Sequence, residues 1–311
     1  MLLVSFALFL MAFLPCALAF QGVLLIADGS NGGPDGQVYS PETGNCSINS
    51  GNFGIPKAYG AAAAFCRCAT GVPPMVYVSG GQRGDTADTA TTEILAYNLL
   101  TQQTTVFAHM MVARYAHRMT CIGQDLYICG GYDNNPNVPS SCEVCHVPLG
   151  NCWQIAPMPD GAGRPFMVEM DGIVYVGAAW DWQKSMFAYD TRHNEWSEKA
   201  DMANGHFLGG VVAINGYLLV CGDYGEAGAA CEAYYPRENA WRTQHPMLTA
   251  RYEHSMVVYD GQVYAFGGYV GGGLKSVEKY WPAGEQWSPM PDLIKDYNSG
   301  MGVAVDTDCA K

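Results

Sequence analysis

The chain has 311 residues and a net charge of −13, with 14% charged residues against 37 glycines and 19 tyrosines. That acidic balance argues against nucleic acid or an anionic membrane as the main partner, since phosphate recognition is driven by clustered Lys and Arg. Sparse charge with plentiful Gly and Tyr fits a β-rich domain with many tight turns better than a helical one.

In chain order, residues 1–19 (MLLVSFALFLMAFLPCALA) carry no charged side chain and end in Ala17-Leu18-Ala19, a small-x-small cleavage pattern. This segment is expected to be a secretory signal peptide, although the usual basic flank is missing. The competing reading is a membrane anchor, but the run is broken by Pro15 and falls short of the roughly 20 apolar residues of a span. No later segment is apolar enough to cross a bilayer. Residues 20–311 are then expected to form one secreted, extracellular, monomeric domain. It keeps eleven cysteines, most of them paired and at least one free or intermolecular. Asn45-Cys46-Ser47 is a glycan acceptor sequence, weakened by the cysteine in the middle.

Beyond the leader one phrase recurs: VYVSGG at Val76, LYICGG at Leu126 and VYAFGG at Val263, with degraded copies at Leu24, Val174 and Leu218. The six starts lie 52, 50, 48, 44 and 45 residues apart, and 48 residues separate the last start from Lys311. Each phrase is followed by a variable polar loop, a short strand, a turn and often tryptophan, as in KSMFAYDTRHNEW and AACEAYYPRENAW. Before each phrase lies another strand that often opens on arginine, as in ARYEHSMVVYDGQ. Alternating apolar and polar residues between Gly-rich turns predict four short strands per repeat.

The double glycine, the Glu-x-Tyr strand, the tryptophan and the openings Arg114-Tyr115-Ala116-His117 and Arg251-Tyr252-Glu253-His254 resemble the Kelch repeat. The resemblance covers residues 20–311 and implies an all-β fold, a six-bladed β-propeller with one four-stranded blade per repeat. Ser299–Asp308 reads as a first strand with no phrase behind it, while the segment after residue 20 starts on the phrase. The last blade is therefore expected to be closed by N- and C-terminal strands together, hiding edges that would otherwise be exposed.

Within this repeat, Cys142-x-x-Cys145-His146 has the spacing of covalent haem attachment but reads as the third strand of a blade. Neighbouring strand residues face opposite sides, so Cys145 and His146 do not suit one haem. Cys145 is placed where Tyr97, Tyr189, Tyr235 and Tyr280 stand in other blades. Cys129 and Cys142 occupy the same repeat positions as Cys221 and Cys231, which predicts the disulfides Cys129–Cys142 and Cys221–Cys231. Cys145 with Cys152 is expected likewise, and Cys46 with Cys66 or Cys68. A zinc site would need a second close ligand pair, so no metal and no cofactor are expected.

In a Kelch-type propeller the loops after each phrase and those before each first strand emerge on one face. That face is expected to present Arg83, Tyr132, Trp180, Trp182, Tyr224 and Tyr269, with Arg114, Arg164 and Arg251 nearer the channel. Two readings stand for Arg114 and Arg251, ligand contact or bonds to loop carbonyls inside the ring. Trp153, Trp196, Trp241 and Trp287 are expected to pack the blades. Asp133, Asp181, Asp223, Glu226 and His206 offer acid–base groups, but no nucleophile elbow, phosphate loop or His-Glu-x-x-His appears. The expected function is a non-enzymatic extracellular module binding a protein or glycan through the loop face. The alternative is a sugar-processing enzyme similar to sialic acid mutarotases.

Overall fold

The computed structural model describes residues 21–26, 36–49, 59–66, 73–82, 90–134, 140–179, 182–225, 228–297 and 300–306. Residues 1–19 and Cys68 lie outside these residues.

Among the described residues, twenty-four strands form six antiparallel sheets of four. The first sheet contains β1 (Gln21–Ile26), β2 (Gly36–Tyr39) and β3 (Cys46–Asn49). The second contains β4 (Ala62–Cys66), β5 (Met75–Ser79), β6 (Glu93–Asn98) and β7 (Gln103–His109). The third is β8 (Arg118–Ile122), β9 (Asp125–Cys129), β10 (Cys142–His146) and β11 (Asn151–Ile155). The fourth is β12 (Phe166–Met170), β13 (Ile173–Ala179), β14 (Trp182–Asp190) and β15 (Glu195–Glu198). The fifth is β16 (Gly210–Ile214), β17 (Tyr217–Cys221), β18 (Cys231–Tyr235) and β19 (Ala240–Gln244). The sixth is β20 (Ser255–Tyr259), β21 (Gln262–Phe266), β22 (Val277–Trp281) and β23 (Gln286–Met290).

The final strand, β24 (Met301–Asp306), pairs antiparallel with β1 from Gln21↔Asp306 to Ile26↔Met301, completing the first sheet in the order β24-β1-β2-β3. The first strands touch in the cycle β24, β4, β8, β12, β16, β20 and back to β24, so the sheets close into a six-bladed propeller around a channel. Both chain ends build one blade, as the sequence implied.

Each recurring phrase is a second strand: β1, β5, β9, β13, β17 or β21. Second strands are buried on both faces, which is why the phrase is a continuous apolar run and not an alternating one. Inner strands show the two-residue period instead, as in β4, where buried and partly buried positions alternate. The core lies between blades. Leu24, Ile26, Val303 and Val305 of the first blade meet Val76, Val78 and Tyr97 of the second. Each such fully buried aliphatic side chain contributes about 1.5–3 kcal/mol.

The double glycine ties blades together. Gly81, Gly131 and Gly268 donate their N–H to the carbonyls of Arg114, Ala162 and Tyr297, each on the segment leading into the following blade. At Gly130 the backbone is left-handed (φ +71°), and a Cβ there would lie 2.5 Å from the Ala162 carbonyl oxygen.

Three expectations need correction. In the fifth blade the residue equivalent to Tyr97, Tyr189 and Tyr280 is Tyr234, which pairs with Leu218; Tyr235 points to the other face, a shift of one residue in a period of two. Cys66 bonds to Cys121 in the neighbouring inner strand, and Cys46 is a free thiol, so Cys46 pairs with neither Cys66 nor Cys68. Trp153 is not blade packing, being 46% exposed. In three blades a tyrosine packs, tilted, on a directly opposite tryptophan, Tyr189–Trp196, Tyr234–Trp241 and Tyr280–Trp287, each with ring centroids at 5.1 Å. In the third blade the opposite residues are Cys145 and Cys152, joined as a disulfide in place of the ring pair, which leaves Trp153 one residue out of register.

The structure also bonds Cys129 to Cys142 and Cys221 to Cys231, each pair directly opposite in adjacent strands. Cys142 and Cys145 therefore offer no thiol for haem attachment. Glu143 lies near Cys145 and Cys152, but it accepts hydrogen bonds from Arg114 and the Met111 N–H.

Candidate functional site

The segments leading into the inner strands build the mouth of the channel, and they repeat position by position. Four residues before an inner strand stands a side chain that clamps its own blade. Arg114, fully buried, donates to the Gly130 carbonyl, Ser141 Oγ and Glu143 Oε1. Arg251 makes the same set with the Gly267 carbonyl, Ser276 Oγ and Glu278 Oε1. In the fifth blade His206 holds this place, bridging the Gly222 carbonyl and Glu232 at 2.9 and 3.4 Å. Each glutamate also accepts backbone N–H groups: Met111 for Glu143, Ala203 and Asn204 for Glu232, Leu248 and Thr249 for Glu278. Each of these three glutamates is thus held by both a basic side chain and backbone N–H donors, which offsets the cost of burying its charge. Burial pushes the Arg114 and Arg251 pKa values down, against the pull of their glutamates.

Two residues before the inner strands the backbone turns left-handed in five blades, at Gly60, Ala116, Arg164, Leu208 and Glu253 (φ between +52° and +68°). A non-glycine residue in this region carries a conformational cost of about 1–3 kcal/mol, repaid here by the surrounding bonds. All five line the channel. Arg164 and Glu253, from the fourth and sixth blades, reach each other as an ion pair at 3.0 Å. Arg164 also donates to the Tyr59 hydroxyl, at the threshold of the second blade, and lies over that ring at 5.6 Å. This triad forms a floor between the channel and the mouth. Burial disfavours the Arg164 cation, but Tyr59, Glu253 and Tyr132 outweigh burial and raise its pKa above the ordinary value.

Above the floor is a cavity of about 570 Å³ lined by Tyr132, Arg164, Phe207, Leu208, Tyr224, Tyr252, Glu253 and Tyr269. Its aromatic wall arises from pairing within each blade: the residue three past the end of the second strand, at Tyr132, Tyr224 or Tyr269, bonds the residue three before the inner strand. Tyr115 and Tyr132 lie 5.3 Å apart, Tyr252 and Tyr269 5.6 Å, and Phe207 and Tyr224 6.3 Å. Tyr224 also meets Tyr252 edge-on at 4.9 Å, which joins two pairs into one surface, and it is 58% exposed.

Of the residues expected on this face, the structure brings together Tyr132, Arg164, Tyr224 and Tyr269. Arg114 and Arg251 sit beneath it with no exposed surface, inside the blades. His206 is equally buried, and Asp223 is 8% exposed. Arg83, Asp85, Trp180, Asp181 and Glu226 lie outside the described residues; Trp182 begins β14, and its side chain is likewise outside them. Sequence reasoning missed Tyr59, Phe207, Tyr252 and Glu253. Their signal was present in the Arg-Tyr-x-His opening, whose second and third residues, not its arginine, face the mouth.

Residues 250–294 match the Kelch motif. The chain is 31% identical to Kelch-like protein 23 of Mus musculus over 233 residues, 71% of this chain and 40% of that protein. It is 30% identical to the Homo sapiens protein of that name over 231 residues. With Kelch-like protein 25 of Xenopus tropicalis it shares 25% over 243 residues, 74% of this chain and 41% of that protein. The chain thus spans about 40% of the length of these relatives. Motif, repeat and closed ring agree: the chain is a Kelch-repeat protein folded as a six-bladed β-propeller.

Proposed function

We propose that this protein is a non-enzymatic interaction module whose channel mouth takes a loop or side chain of a protein partner. The observation that carries the reading is the tyrosine wall of Tyr132, Tyr224, Tyr252 and Tyr269 around a floored cavity. Rigid aromatics with polar tips around a concavity are the composition of binding hot spots. The mouth's charged pair, Arg164 and Glu253, is mutually engaged, so it serves recognition better than proton transfer. An extracellular setting is part of the proposal; it rests on the cysteines bonded across strands and on the apolar leader.

The test is a screen of the purified protein against displayed extracellular domains, with a glycan array alongside. Saturable binding to a protein, lost in the double variant Tyr224→Ala/Tyr252→Ala with the melting temperature kept, is the expected result. Binding that survives this variant would place the interaction elsewhere. A sugar hit with turnover would favour the enzymatic alternative.

A further inference from the structure

Beneath the floor of the mouth, the first residues of the six inner strands form one layer of the channel wall: Ala62, Arg118, Phe166, Gly210, Ser255 and Met301. Arg118 is the only charged residue of that layer. The space is a cavity of about 180 Å³.

The charges lining it do not balance. Its wall includes two arginines, Arg118 and Arg164, and one carboxylate, Glu253, which already accepts from Arg164 at 3.0 Å. Among the described residues Arg118 makes one hydrogen bond, from Nη1 to the His117 carbonyl at 3.0 Å, although a guanidinium carries five N–H donors. His254 lines the same cavity, but its ring packs on Gly210 and Gly222 and both ring nitrogens are sealed from the channel, so Arg118 is the donor that faces it. Arg118 is partly buried, and the one carboxylate near it, Glu253, is shared with Arg164, so this part of the wall keeps a net positive charge. In line with this, burial and then repulsion by Arg164 push the Arg118 pKa down to about 10, against partial relief from Glu253.

We infer that the channel beneath the mouth is a binding site for a compact anion, held by the Arg118 donors that face the channel. The chemical class is a small inorganic anion or a short carboxylate. A water occupies about 30 Å³ of liquid volume, so the cavity has space for such an ion and a few waters. The anion supplies negative charge to the Arg118 side of the channel. This site is independent of partner binding at the mouth.

The test uses the full-length folded protein and chloride as the probe. Thermal melting is followed as sodium gluconate is replaced by sodium chloride at constant ionic strength. Saturable stabilisation is expected. Chloride at ten times its Kd multiplies the native-to-unfolded ratio about elevenfold, which raises the melting temperature by about 2–4 °C. Arg118→Met and Arg118→Gln should abolish the chloride dependence, while Arg118→Lys should retain a weaker one. Crystals soaked in bromide should show an anomalous peak beside the Arg118 guanidinium; this reading needs no variant and decides the matter if the substitutions fail to fold. Equal melting in both salts with no bromide peak in the channel would mean water only and overturn the site. A chloride effect that persists unchanged in Arg118→Met would do the same.

Discussion

Removing the cation from one blade clamp gives a quantitative test of what holds the ring together. In Arg251→Met the side chain loses four hydrogen bonds, to the Gly267 carbonyl, the Ser276 carbonyl and Oγ, and Glu278 Oε1 at 2.6 Å. Glu278, itself 2% exposed, keeps only the Leu248 and Thr249 N–H donors. Leaving one partner of a buried pair uncompensated costs about 3–5 kcal/mol, a large share of a total stability of about 5–15 kcal/mol. Removing Glu278 as well, in Arg251→Met/Glu278→Leu, takes away the stranded charge. The double variant should therefore lose less than the two single variants summed, with a coupling of about 2–3 kcal/mol. Urea denaturation followed by tryptophan fluorescence measures all four proteins. Because the pair is buried, the coupling should change little with salt. Additivity within about 0.5 kcal/mol, or a cost for Arg251→Met below about 1 kcal/mol where about 3–5 is expected, would refute the clamp as a stabilising unit.

Two further outcomes follow from the same geometry. Burial works to raise the Glu232 pKa, but bonds from His206 and from the Ala203 and Asn204 N–H groups prevail and lower it from 4.5 to about 2. A carboxylate depressed on folding adds stability above its unfolded pKa and loses it as pH falls through the folded one. Between about pH 4.5 and 2 the protein should therefore lose of order 3 kcal/mol through this group, and Glu232→Gln should flatten that part of a urea-midpoint profile. Deleting residues 300–311 removes Val303 and Val305, 7% and 1% exposed, and uncovers the edge of β1. The buried valines alone are worth about 1.5–3 kcal/mol each, and the open edge should appear as self-association in light scattering. A truncated protein that melts and sediments like the full chain would contradict closure of the ring by its C-terminal strand.

Much of the architecture was legible in the residues. The phrase at Val76, Leu126 and Val263 marks buried second strands because a strand covered on both faces needs an unbroken apolar run. The cysteines at matching repeat positions stand directly opposite because equal spacing from one hairpin places them in register. Other features left weaker traces. That Tyr234, not Tyr235, faces the core is a one-residue matter of register, and composition is nearly blind to it when two tyrosines are adjacent.

The sequence by itself determined the number of blades, their strand order and the shared first blade, because these follow from local periodicity and repeat length, which a linear pattern contains. Only the tertiary structure decided which arginines are walls and which are surface. Arg114 and Arg251 turn inward to bond carbonyls and glutamates of their own blades, whereas Arg164 stands two positions further along its segment and reaches Glu253, 89 residues away, and Tyr59, 105 away. Arg118 faces the channel from the head of an inner strand. Such contacts exist only once the ring closes and brings distant segments to one axis, and no window of sequence shorter than the whole ring encodes that meeting.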